Sequence, residues 1–561
     1  MSRHRNAAKT DRAGRRGAGV HRHVTGAPAF FAVLALTTAC TGSHSPNAAH
    51  SSAPVPPPAS TPPAPAISSP PASPSTSAAP TVSAVASQPA DAVVTGVTGT
   101  VVVGGATPAR LSISVSRALF TSAPTVVVAS PSIAADVASG AQAAEQLGVP
   151  LLLLDRDDKA PAGAMPTAAL FAAELQRLGA SSVVAIGASA ADVMAAAPGV
   201  SVVAAPSGET HAVPTEDLTV LVNPGGNAAS DAIAADATAN AIVAGATVVN
   251  VHGTDPRRDP AAVDALSENP PRNVLAVGTQ FGTPATVTSR VAVASTGTQL
   301  PGGGQIFFPG RRLVALYGHP GSAALGVLGA QDLPASIARA KQLAAVYAPL
   351  SSVPVVPTFE IIATVADAAA GPDGNYSGES SVASLLPWVQ QATAAGLYVV
   401  LDLQPGSADV LEQAKLYTQL LAMPNVGLAI DPEWALAPGE HPLQQIGSLK
   451  AAQINAVGAW LEALTASKHL PQKLLVLHQF RLSMIGDEPA LKTNYDDVAV
   501  LIHMDGEGGT SNKIATWTAV VHAAPKGVPF GWKNFYVEDH PTMTPAQTMA
   551  QKPTPVMISY Q

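Results

Sequence analysis

Between residues 311 and 561 the chain repeats one local pattern eight times: a short apolar run that turns polar at its last positions. The runs are RRLVALYGH (311–319), VPVVPTFE (353–360), LYVVLDLQ (397–404), VGLAIDPE (426–433), KLLVLHQF (473–480), VAVLIHMD (498–505), VPFGWKNF (528–535) and PVMISYQ (555–561). Near-continuous apolar runs suit strands buried on both faces, as happens when helices cover a parallel sheet. Amphipathic stretches such as PASIARAKQLAAVY, VASLLPWVQQATAAG, SADVLEQAKLYTQLLAM and KAAQINAVGAWLEALTAS separate most of them. The segment after the fifth run, SMIGDEPALKTNYDD, has the weakest helical pattern of the set. Eight strands alternating with helices over about 250 residues predict a (β/α)8 barrel for 311–561.

The polar residues gather at one end of these strands. His319, Glu360, Asp402, Asp431, Glu433, His478, His503, Asp505, Lys533, Tyr560 and Gln561 stand at or just past the carboxyl ends. Barrel chemistry is built at that end, and a buried polar layer is costly unless a network or a ligand satisfies it. Asp431 and Glu433 are one residue apart, so on extended chain they share a face. Neighbouring carboxylates push their pKa values apart, and this pair is the expected centre of the site.

Upstream, residues 93–300 read as a duplicated α/β domain. TVVVASPSIAADVASGAQAAEQLGVPLLLLD (125–155) and TVLVNPGGNAASDAIAADATANAIVAGATVVNVHGTD (219–255) each give a strand, a small-residue turn, an Ala-rich helix, a Gly, a second strand and an Asp. A further strand ending in Gly follows in each copy, VVAIG at 183–187 and VLAVG at 274–278. Such alternation predicts βαβ units around parallel sheets. No GxGxxG stands at a strand end, which argues against a dinucleotide cofactor, and no other cofactor is expected. The helix openings with Asp136 and Asp231, LGVPLLLLD and LGASSVVAIG resemble the cell-wall-binding repeat type 2 family of Gram-positive surface proteins, and RLSISVS from Arg110 resembles its opening helix. The resemblance implies binding to an anionic wall polymer.

The single cysteine, Cys40, excludes intrachain disulfides. A basic stretch precedes APAFFAVLALTTAC, an apolar run too short to span a bilayer. This order resembles a bacterial lipoprotein signal, which implies that residues 1–40 are a signal peptide with Cys40 as the lipidated residue. Residues 41–92, rich in Pro, Ser, Ala and Thr, predict a disordered spacer. The expected setting is extracytoplasmic, with the chain lipid-anchored to the cell membrane in the envelope. A net charge of −8 argues against a nucleic-acid partner.

Glycosidic cleavage needs an acid for the leaving oxygen and a second carboxylate as nucleophile or base. Asp431-x-Glu433 on the fourth strand, with Met504-Asp505 on the sixth, resembles family 18 chitinases; the Asp-x-Glu also resembles family 25 lysozymes. By that resemblance Glu433 is the general acid, raised by Asp431, and Asp431 or Asp505 orients an acetamido group or faces an oxocarbenium ion. Glu360, Asp402, Trp434, His478, His503, Trp532, Lys533, Tyr536 and Tyr560 are the expected substrate-binding residues. Two alternatives stay open: a metal-dependent hydrolase using His319, His478 and His503, and a wall-binding protein without turnover.

Overall fold

The computed structural model describes residues 92–561 apart from 156–157, 159, 161, 188 and 205–216. The expected signal peptide, Cys40 and the expected spacer up to residue 91 lie outside these residues. No helix among the described residues is long and apolar enough to cross a membrane.

The duplicated region forms two four-stranded parallel sheets. The first runs Leu151–Leu153, Thr125–Ala129, Ser182–Ala185, Ser201–Val203. The second runs Thr247–Asn250, Leu218–Val222, Asn273–Val277, Thr100–Val103. The strand orders correspond place for place, with one exchange of origin. The fourth place in the second sheet is filled by Thr100–Val103, which precedes the first copy and pairs from Thr100↔Val274 to Val103↔Val277.

Small side chains let the helices approach closely. In the helix Ala228–Val243, Ala232, Ala234, Ala237, Ala239 and Ala241 are buried. Asn227 caps it by accepting from Ser230 N–H at 3.0 Å. The same helix seals the open edge of strand Leu151–Leu153: Asn240 accepts from Leu151 N–H and donates to Leu151 C=O, both at 2.9 Å. Ser112 accepts from Leu153 N–H at 3.0 Å and donates to Asp236 at 2.8 Å. An exposed edge invites foreign strands, and here side chains of the opening helix and the second copy occupy it.

The C-terminal region is a closed parallel barrel of eight strands. They are β1 Arg312–Gly318, β2 Val355–Ala366, β3 Tyr398–Leu403, β4 Val426–Ile430, β5 Lys473–His478, β6 Val498–Met504, β7 Phe530–Asn534 and β8 Met557–Tyr560. Each falls within, or overlaps, one of the eight apolar runs. The weak segment after β5 forms two 3-10 turns, Leu482–Met484 and Glu488–Ala490.

Inside the barrel the amino-terminal half is apolar, filled by residues such as Leu313, Val356, Tyr398, Val400, Leu474, Val476 and Met557. Leu300 and Phe307, from the segment joining the two regions, join this cluster. Burying a side chain of that size stabilises by about 1.5–3 kcal/mol. A charged cluster fastens the same junction. Arg257, fully buried, contacts Asp255 and Asp496 at 2.8 Å and Asp497 at 2.5 Å. Arg290 adds a 2.5 Å contact to Asp496.

Candidate active site

Alternation along the strands decides which side chains enter the upper barrel. Tyr317 on β1, Glu360 on β2, Asp402 on β3, Asp431 just past β4, His478 on β5, His503 on β6, Lys533 on β7 and Ser559 on β8 are all buried. Register sets several side by side: Tyr317 pairs with Glu360, His478 with His503, and Lys533 with Ser559. Above them opens a cleft of about 480 Å³, lined among others by Asp431, Glu433, Trp434, Asp505, Glu507 and Lys533.

The layer beneath the cleft is an ionic network. His478 Nε2 lies 3.2 Å from Glu360 and 3.8 Å from Asp402, while Nδ1 lies 3.2 Å from Asp505. These are ion-pair contacts without hydrogen-bond alignment, because both ring nitrogens lack an aligned partner. The Tyr317 hydroxyl donates to Asp402 at 2.8 Å. The Lys533 ammonium sits 3.4 Å above the Tyr317 ring centre, a favourable cation–π placement. His503 bonds Ser559 Oγ at 2.8 Å and stacks on His478 with ring centres 5.3 Å apart.

Burial and charge divide these groups into two sets. Burial opposes ionisation of Asp505 and Glu360, but contact with His478 outweighs it and holds both below the usual carboxylate range. Burial likewise opposes the His478 cation, yet Asp505 and Glu360 raise its pKa well above the ordinary imidazole value. His503 is pushed down to about 4, chiefly by burial. Burial, then the charge of Glu433, raises Asp431 well above its usual range. Burial, then the charge of Asp505, raises Glu433 to about 7. The direction between the paired acids thus departs from expectation: Glu433 raises Asp431, and Asp505 is the neighbour that raises Glu433. Asp402 is raised by burial, with Glu360 adding to it. Ionised and protonated carboxyls therefore stand together in one cleft, the division of labour acid–base chemistry needs.

Not every expected residue faces the cleft. Trp434 lines it. Trp532 is fully buried, donates to Asn534 at 2.9 Å and packs 5.4 Å from Trp517, so it belongs to the core and is no sugar platform. Its neighbour Lys533 points inward, so alternation sends Trp532 outward. Tyr560 also points outward, sharing a 2.6 Å hydroxyl contact with Tyr347 of the helix Leu333–Tyr347. Tyr536 is exposed, its ring 5.3 Å from that of Tyr560, and it is not among the lining residues. The histidine trio does not converge: His319 bonds Ser380 at 3.0 Å while His503 bonds Ser559. Among the described residues no group of three or more His, Cys, Asp or Glu is arranged to hold a metal ion.

Tyr317, Gln404, Glu507, Phe480 and Phe535 line the cleft without having been expected there. Tyr317 could have been found by counting back two residues from His319 along β1. Gly531 has a structural role in the site. A Cβ there would lie 2.7 Å from His503 Nδ1, so only glycine leaves room for that ring.

No protein-family profile and no curated protein sequence matches the chain. Among solved structures, Cwp6 from Clostridium difficile is similar over 55% of this chain and 63% of its own, at 12% identity and a TM-score of 0.29. The chain thus spans less than two thirds of that protein. At that score neither fold nor site is assigned by the likeness, and the architecture rests on the strand pairing itself.

Proposed function

We propose that the barrel hydrolyses a hexosamine-containing glycan of the cell envelope. What supports this above all is Glu433, a carboxyl with its pKa at about 7, opening into the same cleft as an Asp505 held ionised by His478. Glu433 gives its proton to the glycosidic oxygen as the bond from the anomeric carbon breaks and the electron pair leaves with that oxygen. Asp505 faces the positive charge that develops on the sugar. Water then adds to the anomeric carbon, and the proton it releases returns the carboxyls to their starting state. Trp434 supplies a ring at the rim for the sugar face.

In the same proposal Cys40 anchors the chain in the membrane, and residues 93–300 hold an anionic wall polymer. The resemblance to wall-binding repeats supports the second point.

The test is release of soluble fragments from purified peptidoglycan and from N-acetylglucosamine polymers, followed by mass spectrometry. Wild type should release fragments, and Glu433→Gln and Asp505→Asn should not. Pelleting with walls without any fragment from wild type would make the chain a binding protein.

A further inference from the structure

The cleft carries far more acid than base. Asp431, Glu433, Asp505 and Glu507 line it, against one cationic side chain, Lys533, among the described lining residues. Lys533 is itself engaged, lying 3.4 Å above the Tyr317 ring and 5.2 Å from that of Phe535. Beneath, one imidazole serves Glu360, Asp402 and Asp505 together. A ligand carrying carboxylate, phosphate or sulfate would find no free cation among the described lining residues of such a site.

Two carboxyl oxygens on residues that line this cleft lack a donor. Asp431 Oδ1 and Asp505 Oδ1 are buried without a hydrogen-bond partner, on residues only 2% and 7% exposed. An unsatisfied buried acceptor is costly, and a ligand that brings donors removes the cost. Asp505 already has His478 at its other oxygen, 3.2 Å away. Asp431 has no cation in contact among the described residues. A hydroxyl would supply one donor, whereas an ammonium supplies three and a compensating charge. Charge-assisted bonds of that kind are about twice as strong as neutral ones.

We infer that the cleft selects a hexosamine residue bearing a free ammonium group rather than an acetamide, with Asp431 as its seat. This rests on the reading of the cleft as a glycan site and narrows the substrate within it. Asp431, which burial and the neighbouring Glu433 keep protonated without ligand, gives up its proton to solvent as the ammonium pairs with it, and Glu433 is left free to protonate the leaving oxygen. Ile362, Val365 and Phe480 give the cleft an apolar side for the sugar faces.

The test uses the full chain carrying Glu433→Gln, so that ligand is bound and not turned over. Calorimetry compares the β-1,4-linked glucosamine tetramer with its fully N-acetylated counterpart. The amine form should bind at least 10-fold more tightly, and adding Asp431→Asn, which keeps the side-chain shape, should shrink that ratio to within 2-fold. Equal affinities, a preference for the acetylated tetramer, no binding of either, or a ratio untouched by Asp431→Asn would each overturn the inference. Fragment release by wild type keeps the two claims apart. Fragments without an amine preference sink only this inference, while an amine preference without fragments sinks only hydrolysis.

Discussion

Arg257 of the duplicated region reaches Asp497 at the foot of the barrel with a guanidinium-to-carboxylate distance of 2.5 Å. The same guanidinium also meets Asp255 and Asp496, so one buried cation answers three acids. Asp496 and Asp497 are further held by Glu462, which accepts from their backbone N–H groups at 3.0 and 2.9 Å.

Removing that cation leaves Asp497 buried without a compensating cation, while Asp255 and Asp496 keep Arg290. Arg257→Ala should therefore destabilise the chain by about 3–5 kcal/mol, read from urea unfolding. Arg290→Ala, at the more exposed side of the cluster, should cost distinctly less.

The barrel should not stand alone. A chain beginning at Arg311 lacks Leu300 and Phe307, which close the apolar end of the barrel interior. It is expected to lose near-ultraviolet circular dichroism and bind a hydrophobic dye, while a chain beginning at Leu300 should do so less. An equally well-packed 311–561 fragment would contradict the role given to these two side chains.

Glu433 should impose a pH limit on turnover. A group at about 7 that must be protonated to act keeps activity below that pH, and activity falls as pH rises through about 7. Asp505 is held below its ordinary 3.8, so it stays ionised across the working range. Glu433→Gln should lower the rate on the order of 10²–10⁴-fold and abolish the alkaline limb of whatever rate remains.

Lys473, fully buried at the start of β5, donates to the Met423 and Pro424 carbonyls and has its pKa pushed down to about 7 by burial. The folded value lies below the unfolded one near 10.5. Its contribution to stability is therefore complete above about 10.5 and is lost as pH falls to about 7. The stability of wild type relative to Lys473→Met should accordingly improve between pH 7 and pH 10. A gap independent of pH would contradict a depressed lysine.

Gly531→Ala places a methyl group 2.7 Å from His503 Nδ1. The imidazole must shift and weaken its contact with Ser559. Overpacking of this kind costs about 1–3 kcal/mol, visible as a lowered thermal midpoint.

The barrel was legible because its strands are buried on both faces and so read as unbroken apolar runs with polar ends. What remained hidden was which side of each strand a polar residue occupies. Lys533 and Trp532 are adjacent and cannot both face inward; neither can Ser559 and Tyr560. A strict count of alternation from the apolar interior would have chosen Lys533 and Ser559. The charge relations were less accessible still. That Asp505, from β6, raises Glu433 depends on spatial neighbours that no spacing along the chain reveals. In the duplicated region each copy's strands and helices could be read in order, but the origin of the second sheet's fourth strand could not, because Thr100–Val103 stands before the first copy.

That borrowed strand has a mechanical consequence. Thr100–Val103 is entered from the chain's amino-terminal side, and its parallel neighbour Asn273–Val277 leads on towards the barrel. Tension between the segment before Ala92 and the barrel would pull these two strands from opposite ends along their common axis. Their ladder would then be loaded in shear, all rungs sharing the force, instead of being peeled open one hydrogen bond at a time. The copies are clasped at the point where a pulled chain would otherwise begin to unravel.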